Sequence, residues 1–323
     1  MRSIIRVEFY VLMLASLAFM ASPASSFAQT LRIGVLPVLD TLPLQVAVQD
    51  GPFDQAGLHV ELVSFASALE RDAAMQAGQL DGYFGDLLNT VLLIQNGVPI
   101  RIVTVAYATR PGQRMFALLA APNVAELTAV ASKSPKVGIS TATVIDFLLD
   151  PMLAQAGLGR KQVTPLDVKK IPIRMQMLLT NQLDAALLPE PLVSMAERQG
   201  ARVIATDETL NLPVTVVSLH NDRLQQTPDI LVRFLRAYAS AVRRIAQDPD
   251  RYRPLLVQSC GLPEVLRDTF RMPDYPSPQL PSNEAVQAVQ DWMRQQNLIS
   301  EALPYHRMVP AAAAHQHDQQ GNP

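Results

Sequence analysis

The sequence predicts an α/β protein built of two lobes of similar plan. Short apolar runs that favour strands alternate with longer segments that favour helices. The pattern also recurs within the chain. The stretch Gln79–Asp86 resembles Gln182–Glu190, 103 positions later, and Arg32–Val35 resembles Lys136–Ile139, 104 positions later. Two nearly equal spacings favour a duplicated plan, although short α/β segments can also resemble each other by chance.

The first lobe opens with the apolar run Leu31–Leu36, a predicted buried strand that ends at Pro37. The predicted strands are 31–36, 57–63, 82–84 and 100–105, and the predicted helices between them are 43–49, 66–77 and 86–95. Alternation at this spacing is typical of a parallel sheet that is covered by helices on both faces.

A second α/β set follows. Its predicted strands are 115–120, 136–140, 168–171, 185–188 and 202–205, and its predicted helices are 142–156, 173–180 and 191–199. We expect the strand 214–219 to return to the first lobe. Four helices are predicted after it, at 228–247, 249–258, 263–270 and 283–296.

These elements divide the chain into predicted regions. Residues 29–107 and 210–308 form the first lobe with the C-terminal helices, and residues 108–209 form the second lobe. The last residues, 309–323, are small and polar and are predicted to be a disordered tail.

The N-terminus has the layout of a secretory signal peptide, predicted at residues 1–28. Arg2 and Arg6 precede the mostly apolar stretch Phe9–Ala21, and Ser26-Phe27-Ala28 supplies small residues at a cleavage site. We expect the mature chain to start near Gln29 and to reside in the periplasm. An uncleaved anchor is the alternative. No cysteine lies near the predicted cut, so a lipoprotein is not expected.

Composition excludes several classes of function. The chain has 323 residues, a formal net charge of -2 and 17% charged residues, so no basic surface points to a nucleic-acid partner. Its single cysteine, Cys260, cannot form an intramolecular disulfide or supply a cysteine-rich metal site. We expect Cys260 to be a small semi-buried residue and the protein to be a monomer that needs no cofactor and no metal.

Several motifs carry a family resemblance. They are Leu31–Leu36 with Asp40, Gly57–Glu61, Ala68–Gly78, Leu80–Gly82, Asn96–Val103, Lys136–Ser140, Asn181–Ala186 and Pro189–Pro191. In their order and spacing they resemble the periplasmic substrate-binding proteins of ABC importers, in the nitrate/sulfonate/taurine family that includes thiamine-precursor binders. The resemblance implies a type II periplasmic-binding-protein clamshell, each lobe a mixed sheet flanked by helices. It also implies a small-molecule ligand in the cleft, an ABC permease as partner, and hinge crossings near 106–109 and 208–214.

Ligands of open α/β sheets bind beyond the carboxyl ends of the strands, so the loops after the predicted strands are the candidate site. The candidate ligand-binding residues are Asp40, Thr41, Ser64, Ser67, Asp86, Tyr107, Ser140, Thr141, Thr143 and Glu190. Ser140–Thr143 stands between a strand and a helix, where hydroxyls and free amides could hold an anionic or carbonyl oxygen.

Plain structural roles compete with ligand contact at most of these positions. Ser140–Thr143 and Asp86 could simply cap helices, Asp40 could be a turn residue, and Tyr107 could belong to the core. In the thiamine-precursor binders that the sequence resembles, an acid before proline contacts the amine-bearing ring, which implies such a role for Glu190. Because three acids occupy the candidate loops, a neutral or amine-bearing organic ligand is favoured over a bare inorganic anion.

The residues also bear on enzymatic alternatives. The sequence contains no Gly-x-x-x-x-Gly-Lys-Ser/Thr loop and no Gly-x-Ser-x-Gly elbow. We therefore expect a binding protein rather than an enzyme. An enzyme of pyrimidine-precursor or menaquinone-type metabolism on the same fold, and a ligand-sensing module, remain the alternatives.

Overall fold

The computed structural model describes residues 30–227 and 229–310. The predicted signal peptide and the predicted tail from residue 311 onward lie outside the described residues. Within them the chain forms two five-stranded mixed sheets, with strand orders β2-β1-β3-β10-β4 and β7-β6-β8-β5-β9. The two orders match, so the predicted fold class, two α/β lobes of one plan, is confirmed.

The first sheet belongs to lobe 1. Its strands are β1 (Leu31–Val35), β2 (Val60–Ser64), β3 (Gly82–Asp86), β4 (Ile100–Ala108) and β10 (Pro213–His220). Strands β1, β2 and β3 run parallel, whereas β10 pairs antiparallel with both β3 and β4. The strand expected to return from the second half of the chain therefore does so as an inner strand of this sheet, between β3 and β4.

The second sheet belongs to lobe 2. Its strands are β5 (Phe116–Ala120), β6 (Lys136–Ile139), β7 (Thr164–Asp167), β8 (Ala185–Pro189) and β9 (Arg202–Thr206). Strands β6, β7 and β8 run parallel, and β5 pairs antiparallel with β8 and β9. Strand β5 thus takes the place in this sheet that β10 takes in the first.

Helices cover both sheets. They are α1 (Leu42–Gln49), α2 (Pro52–Gln55), α3 (Ala68–Gln76), α4 (Leu87–Gln95), α5 (Val144–Gln155), α6 (Ile171–Leu179), α7 (Leu192–Arg198), α8 (Asn221–Gln226), α9 (Ile230–Gln247), α10 (Arg253–Ser259) and α11 (Asn283–Gln295). No helix among the described residues has the length and apolar character that crossing a membrane requires.

The two copies of the sequence repeat form the same local structure, one copy in each lobe. Asp81 and Asp184 each accept a hydrogen bond from the first residues of the neighbouring strand, at the amides of Arg32 (2.8 Å) and Lys136 (2.7 Å). The glycine inside each of those strands, Gly34 in β1 and Gly138 in β6, lies against a leucine and an arginine of its own lobe. Local side-chain-to-backbone bonds and a tight strand–helix approach therefore explain why these motifs recur.

The chain passes between the two sheets after β4 and after β9, and these two segments are bonded to each other. Thr109 donates its amide to the carbonyl of Leu212 (2.8 Å) and accepts the Leu212 amide on its hydroxyl oxygen (2.7 Å). Tyr107 donates its hydroxyl to the buried carboxylate of Asp207 (2.9 Å). The two crossings are thus paired with each other by hydrogen bonds.

Some predicted elements differ from the observed ones. The strand predicted at 168–171 lies earlier, at Thr164–Asp167, where Pro165 is accommodated because β7 is an edge strand. The helix predicted at 263–270 is only a 3₁₀ turn at Glu264–Leu266, and the helix predicted at 228–247 is preceded by the separate helix α8. Core packing extends to Val309, which is fully buried.

Candidate ligand-binding cleft

A cleft lies between the two sheets at the carboxyl ends of the parallel strands. It measures about 540 Å³, counting the part that is open to solvent. Lobe 1 lines it with Leu36, Val38, Asp40, Ala68, Arg71, Phe84, Gly85, Asp86 and Thr215, and lobe 2 lines it with Phe116, Ser140, Thr143, Val144, Ile145, Lys169, Ile171, Arg174 and Pro189. Both lobes contribute equally, as expected for a ligand that bridges them.

Asp40 occupies a 3₁₀ turn, Leu39–Thr41, that directly follows β1. The residue is 3% exposed, and its carboxylate accepts a hydrogen bond from the hydroxyl of Thr215 in β10 (2.9 Å). Burial raises the pKa of Asp40 to about 6, and the Thr215 hydrogen bond only partly opposes this. No basic side chain among the described residues forms an ion pair with Asp40.

Asp86 links the two lobes. It caps helix α4 by accepting the Asn89 amide (2.8 Å), and its second oxygen accepts the amide of Val144 in helix α5 of lobe 2 (3.1 Å). Burial raises the pKa of Asp86 to about 6, opposed by these amides and by Arg71. Asp86 thus caps two helices at once, one in each lobe, and this requires that the lobes be closed.

The loop Ser140–Thr143 lies where the sequence placed it, between β6 and α5. Its amides are already bonded to protein carboxylates: Thr141 donates to Asp167 (3.0 Å) and Ala142 donates to Asp146 (2.9 Å). Thr143 caps α5 through the Ile145 amide (3.2 Å). Hydrogen bonds to protein carboxylates therefore occupy the amides of Thr141 and Ala142. A contact between this loop and a ligand stays a prediction.

Two buried arginines flank the cleft, one in each lobe. Arg71 of α3 bonds the carboxylate of Asp72 through Nε (2.9 Å) and Nη2 (2.7 Å), and it also donates to the Phe84 carbonyl (2.8 Å). Arg174 of α6 donates to the carbonyls of Leu187 (3.0 Å) and Val168 (2.8 Å). Its Nη2 is buried and has no hydrogen-bond partner in the described part of the chain.

Contacts at the rim hold the lobes together. Trp292 of α11 in lobe 1 donates its indole N–H to Asp150 of α5 in lobe 2 (2.7 Å) and packs edge-on against Phe147, with ring centroids 5.5 Å apart. Glu70 and Lys170 form an exposed ion pair between the lobes at 3.7 Å. The structure is therefore a closed form of the clamshell.

Several predicted site residues lie outside the cleft lining. Thr41 is fully buried and donates its hydroxyl to the Val38 carbonyl (2.7 Å), Ser64 is exposed at the end of β2, and Thr141 is exposed. Ser67 is buried and caps α3 by accepting the Glu70 amide (3.3 Å). Their role in ligand binding stays a prediction.

Tyr107 and Glu190 also have protein partners. Tyr107 lies at the end of β4, beside the crossings between the two lobes, and burial raises the pKa of its hydroxyl. Glu190 forms an ion pair with Arg114 (2.7 Å) and accepts both the amide and the hydroxyl of Ser194 (3.0 Å each). Burial raises the pKa of Glu190, with Arg114 opposing the shift. Glu190 also lines a second cavity, together with Leu266 and Phe270.

Some parts of the cleft were not predicted from the sequence: Arg174, Lys169, Thr215 and the apolar wall. Phe84 and Phe116 contribute aromatic surface from opposite lobes, with Ile171 beside them. A signal for Arg174 was present, since it follows Arg71 by 103 positions, the same spacing as the Gln-Leu-Asp repeat. Among residues 30–227 and 229–310 no cluster of histidine, cysteine and acidic side chains could hold a metal ion.

Two α/β lobes that close over a shared cleft define the clamshell of the periplasmic binding proteins. The chain belongs to the NMT1-like family, whose family model matches residues 25–258. A relative from Brachyspira hyodysenteriae, named as a periplasmic binding protein of an ABC transporter, is 21% identical over 258 residues, 74% of this chain and 71% of the relative.

Solved structures share the fold. The ligand-binding component of an ABC-type import system from Staphylococcus aureus, with zinc bound, superposes with a TM-score of 0.76 at 16% identity, covering 89% of this chain and 98% of that one. The alkanesulfonate-binding protein SsuA from Xanthomonas axonopodis pv. citri, bound to MOPS, gives 0.72 at 21% identity, with 90% and 99% covered. The desulfurization enzyme DszB gives 0.65 at 16% identity, with 90% and 99% covered, so the fold also serves an enzyme.

Proposed function

We propose that this protein is an extracytoplasmic solute-binding protein of an ABC-type importer. It captures a small organic molecule between its lobes and delivers the closed, loaded form to a membrane permease. The observation that carries the proposal is the cleft itself, to which each lobe contributes nine lining residues and across which Asp86 bonds the Val144 amide. Family membership and the importer components among the structural neighbours support it.

The mechanism follows from where the contacts lie. A solute that binds both walls has a higher affinity for the closed arrangement than for an open one, so binding shifts the population toward closure. The paired crossings at Thr109 and Leu212 would absorb the rotation. Closure also forms the Asp86–Val144 and Trp292–Asp150 hydrogen bonds, which hold the two lobes in the geometry that a permease would recognise.

Small-angle scattering with intrinsic fluorescence tests the proposal. Trp292 is the single tryptophan of the chain and lies on the interlobe contact, so its emission reports closure directly. Native mass spectrometry of protein purified from its host should reveal a bound small molecule. Stripping and restoring that molecule should change both the scattering radius and the Trp292 emission. If no extracellular metabolite changes either signal, the proposal is wrong.

Two finer points belong to the same proposal. Cleavage after Ala28 would release a periplasmic chain starting at Gln29, which intact-mass analysis of the secreted protein would reveal; a mass that includes Met1 would contradict it. We also propose that the protein does not transform its ligand. Incubating the purified protein with the co-purified molecule and following the molecule by mass spectrometry should show no turnover.

A further inference from the structure

The closed cleft contains a carboxylate at the point where two helices begin, one from each lobe. Asp86 accepts the Asn89 amide of α4 on one oxygen (2.8 Å) and the Val144 amide of α5 on the other (3.1 Å), and both Asp86 and Val144 line the cleft. The first turn of a helix carries free amides and a partial positive charge, so it attracts an anion. Here the anion that serves both helix starts is a side chain of the protein itself.

A second contact joins the same two elements. Asn89 of α4 donates its side-chain amide to the carbonyl of Ala142, two residues before the start of α5 (3.3 Å). Ala142 has a φ of 58°, a left-handed conformation that persists at a residue other than glycine only where the surroundings enforce it. Asp86 and Asn89 therefore hold the start of α5 from lobe 1 with one acceptor and one donor.

Other donors at the start of α5 are bonded as well. The amides of Thr141 and Ala142 donate to carboxylates of lobe 2 (3.0 and 2.9 Å). The Ile145 amide donates to the hydroxyl oxygen of Thr143 (3.2 Å). An anionic group of a solute would meet amides that already have acceptors, and it would lie beside the buried negative charge of Asp86, which repels it.

Three basic side chains line the cleft, and each already has protein partners. Arg71 pairs with Asp72 (2.7 Å) and Lys169 pairs with Asp167 (3.0 Å). Arg174 is fully buried and donates to two backbone carbonyls. Two of the three positive charges are therefore neutralised by carboxylates of the protein.

We infer that Asp86 determines the specificity of the cleft by excluding anionic groups from the place where the two helix starts meet. This inference rests on the proposed function and concerns its ligand, because the part of the solute that faces α4 and α5 is then uncharged. Asp86 supplies the negative charge that a solute would otherwise bring to these helices. Closure across them therefore needs no acidic ligand.

Replacing Asp86 with serine tests the inference by a gain of function. Asp86→Ser keeps a hydroxyl that can accept the Asn89 amide, as serine does at many helix starts, but it removes the charge and leaves the Val144 amide without its acceptor. Isothermal titration calorimetry with nitrate, sulfate and methanesulfonate should show at least one anion that binds Asp86→Ser about tenfold more tightly than the parent protein. A tenfold change is what one charge-assisted hydrogen bond contributes.

Two further variants separate charge from volume and from the loss of a helix cap. Asp86→Asn keeps the volume without the charge and should gain less anion affinity than Asp86→Ser. Ser282→Ala removes the cap of α11 on the Ala285 amide (3.1 Å), outside the cleft lining, and should gain none. Thermal melts check folding, and if Asp86→Ser does not fold, Asp86→Asn is compared with the parent protein, with a gain of anion affinity again expected.

Three results would overturn the inference. They are an equal gain of anion affinity in Ser282→Ala, no gain in a folded Asp86 variant, and anion binding to the parent protein that is as tight as to Asp86→Ser.

These results differ from those that test the proposed function. An acidic molecule that co-purifies with the protein, closes the lobes and binds Asp86→Ser no more tightly than the parent would overturn the role of Asp86 and leave the solute-binding function standing. Failure of every small molecule to change the Trp292 emission of the parent protein would overturn the solute-binding function, and the inference with it.

Discussion

The two lobes contain the same arrangement of a buried arginine packed against a strand glycine, but the arginines have different hydrogen-bond partners. In each, a buried arginine lies across the glycine of the first parallel strand and donates to a carbonyl of the central strand, Arg71 to Phe84 and Arg174 to Leu187. Only Arg71 also has a carboxylate in contact. Arg71 therefore has a neutralising carboxylate in direct contact, whereas Arg174 has only the more distant charge of Asp167. The duplicated arginine is thus held by an ion pair and a carbonyl in one lobe and by backbone carbonyls alone in the other.

Removing the carboxylate from lobe 1 should have the largest effect. Asp72→Met copies the lobe 2 arrangement and leaves Arg71 without its ion pair. Breaking a buried pair from one side costs about 3–5 kcal/mol, and the partial exposure of Asp72 places this case at the lower end. We expect the free energy of unfolding in urea to fall by about 3 kcal/mol. Unchanged stability would show that Arg71 does not depend on Asp72.

Titration of Asp40 should make stability fall as pH rises. Its folded-state pKa is about 6 against 3.8 for the ordinary carboxyl, so between these values the folded protein holds a proton that the unfolded chain has released. About two pKa units correspond to roughly 3 kcal/mol, and screening and relaxation would reduce this. Asp40→Asn should be more stable than the parent protein at pH 8 and flatten its profile from pH 4 to 7. The neighbouring Asp207 and the cleft acid Asp86, whose pKa values are also raised, would keep part of the slope.

The converse change supplies a carboxylate next to Arg174 in lobe 2. Met175→Asp recreates the lobe 1 sequence around Arg174. If the new acid reaches the guanidinium, it should raise thermal stability, because it supplies a partner for a buried charge. Met175→Leu is the matched control and should leave thermal stability unchanged. A melting temperature no higher than that of Met175→Leu would show that the new carboxylate does not pair with Arg174.

The smallest effects are expected at the rim. Asp150→Ala removes the acceptor of the Trp292 indole, a contact worth about 1 kcal/mol, and should weaken ligand binding several-fold. Glu70→Gln breaks an exposed interlobe ion pair and should change affinity less than twofold. Fluorescence titration of both variants gives the comparison, and a larger effect of Glu70→Gln would contradict this order.

Much of the fold could be predicted from the sequence because it depends on local patterns. Alternating apolar segments, helix-ending glycines and the repeated Gln-Leu-Asp turn act over a few residues. Four of the predicted site residues line the cleft, namely Asp40, Asp86, Ser140 and Thr143, and their contact with a ligand stays a prediction. The ion pair of Glu190 with Arg114 could not be predicted, because it joins residues that lie 76 positions apart in the chain.

The sequence by itself determined that the chain forms two α/β lobes of one plan, since the period of a strand and the spacing of a repeat are properties of the chain alone. Only the tertiary structure decided which polar groups are satisfied. Asp86 accepts a hydrogen bond from an amide 58 positions away in the other lobe. The buried Nη2 of Arg174 has no hydrogen-bond acceptor among the residues that the structure describes. Hydrogen bonding and burial of this kind depend on how the lobes meet, which no local pattern encodes.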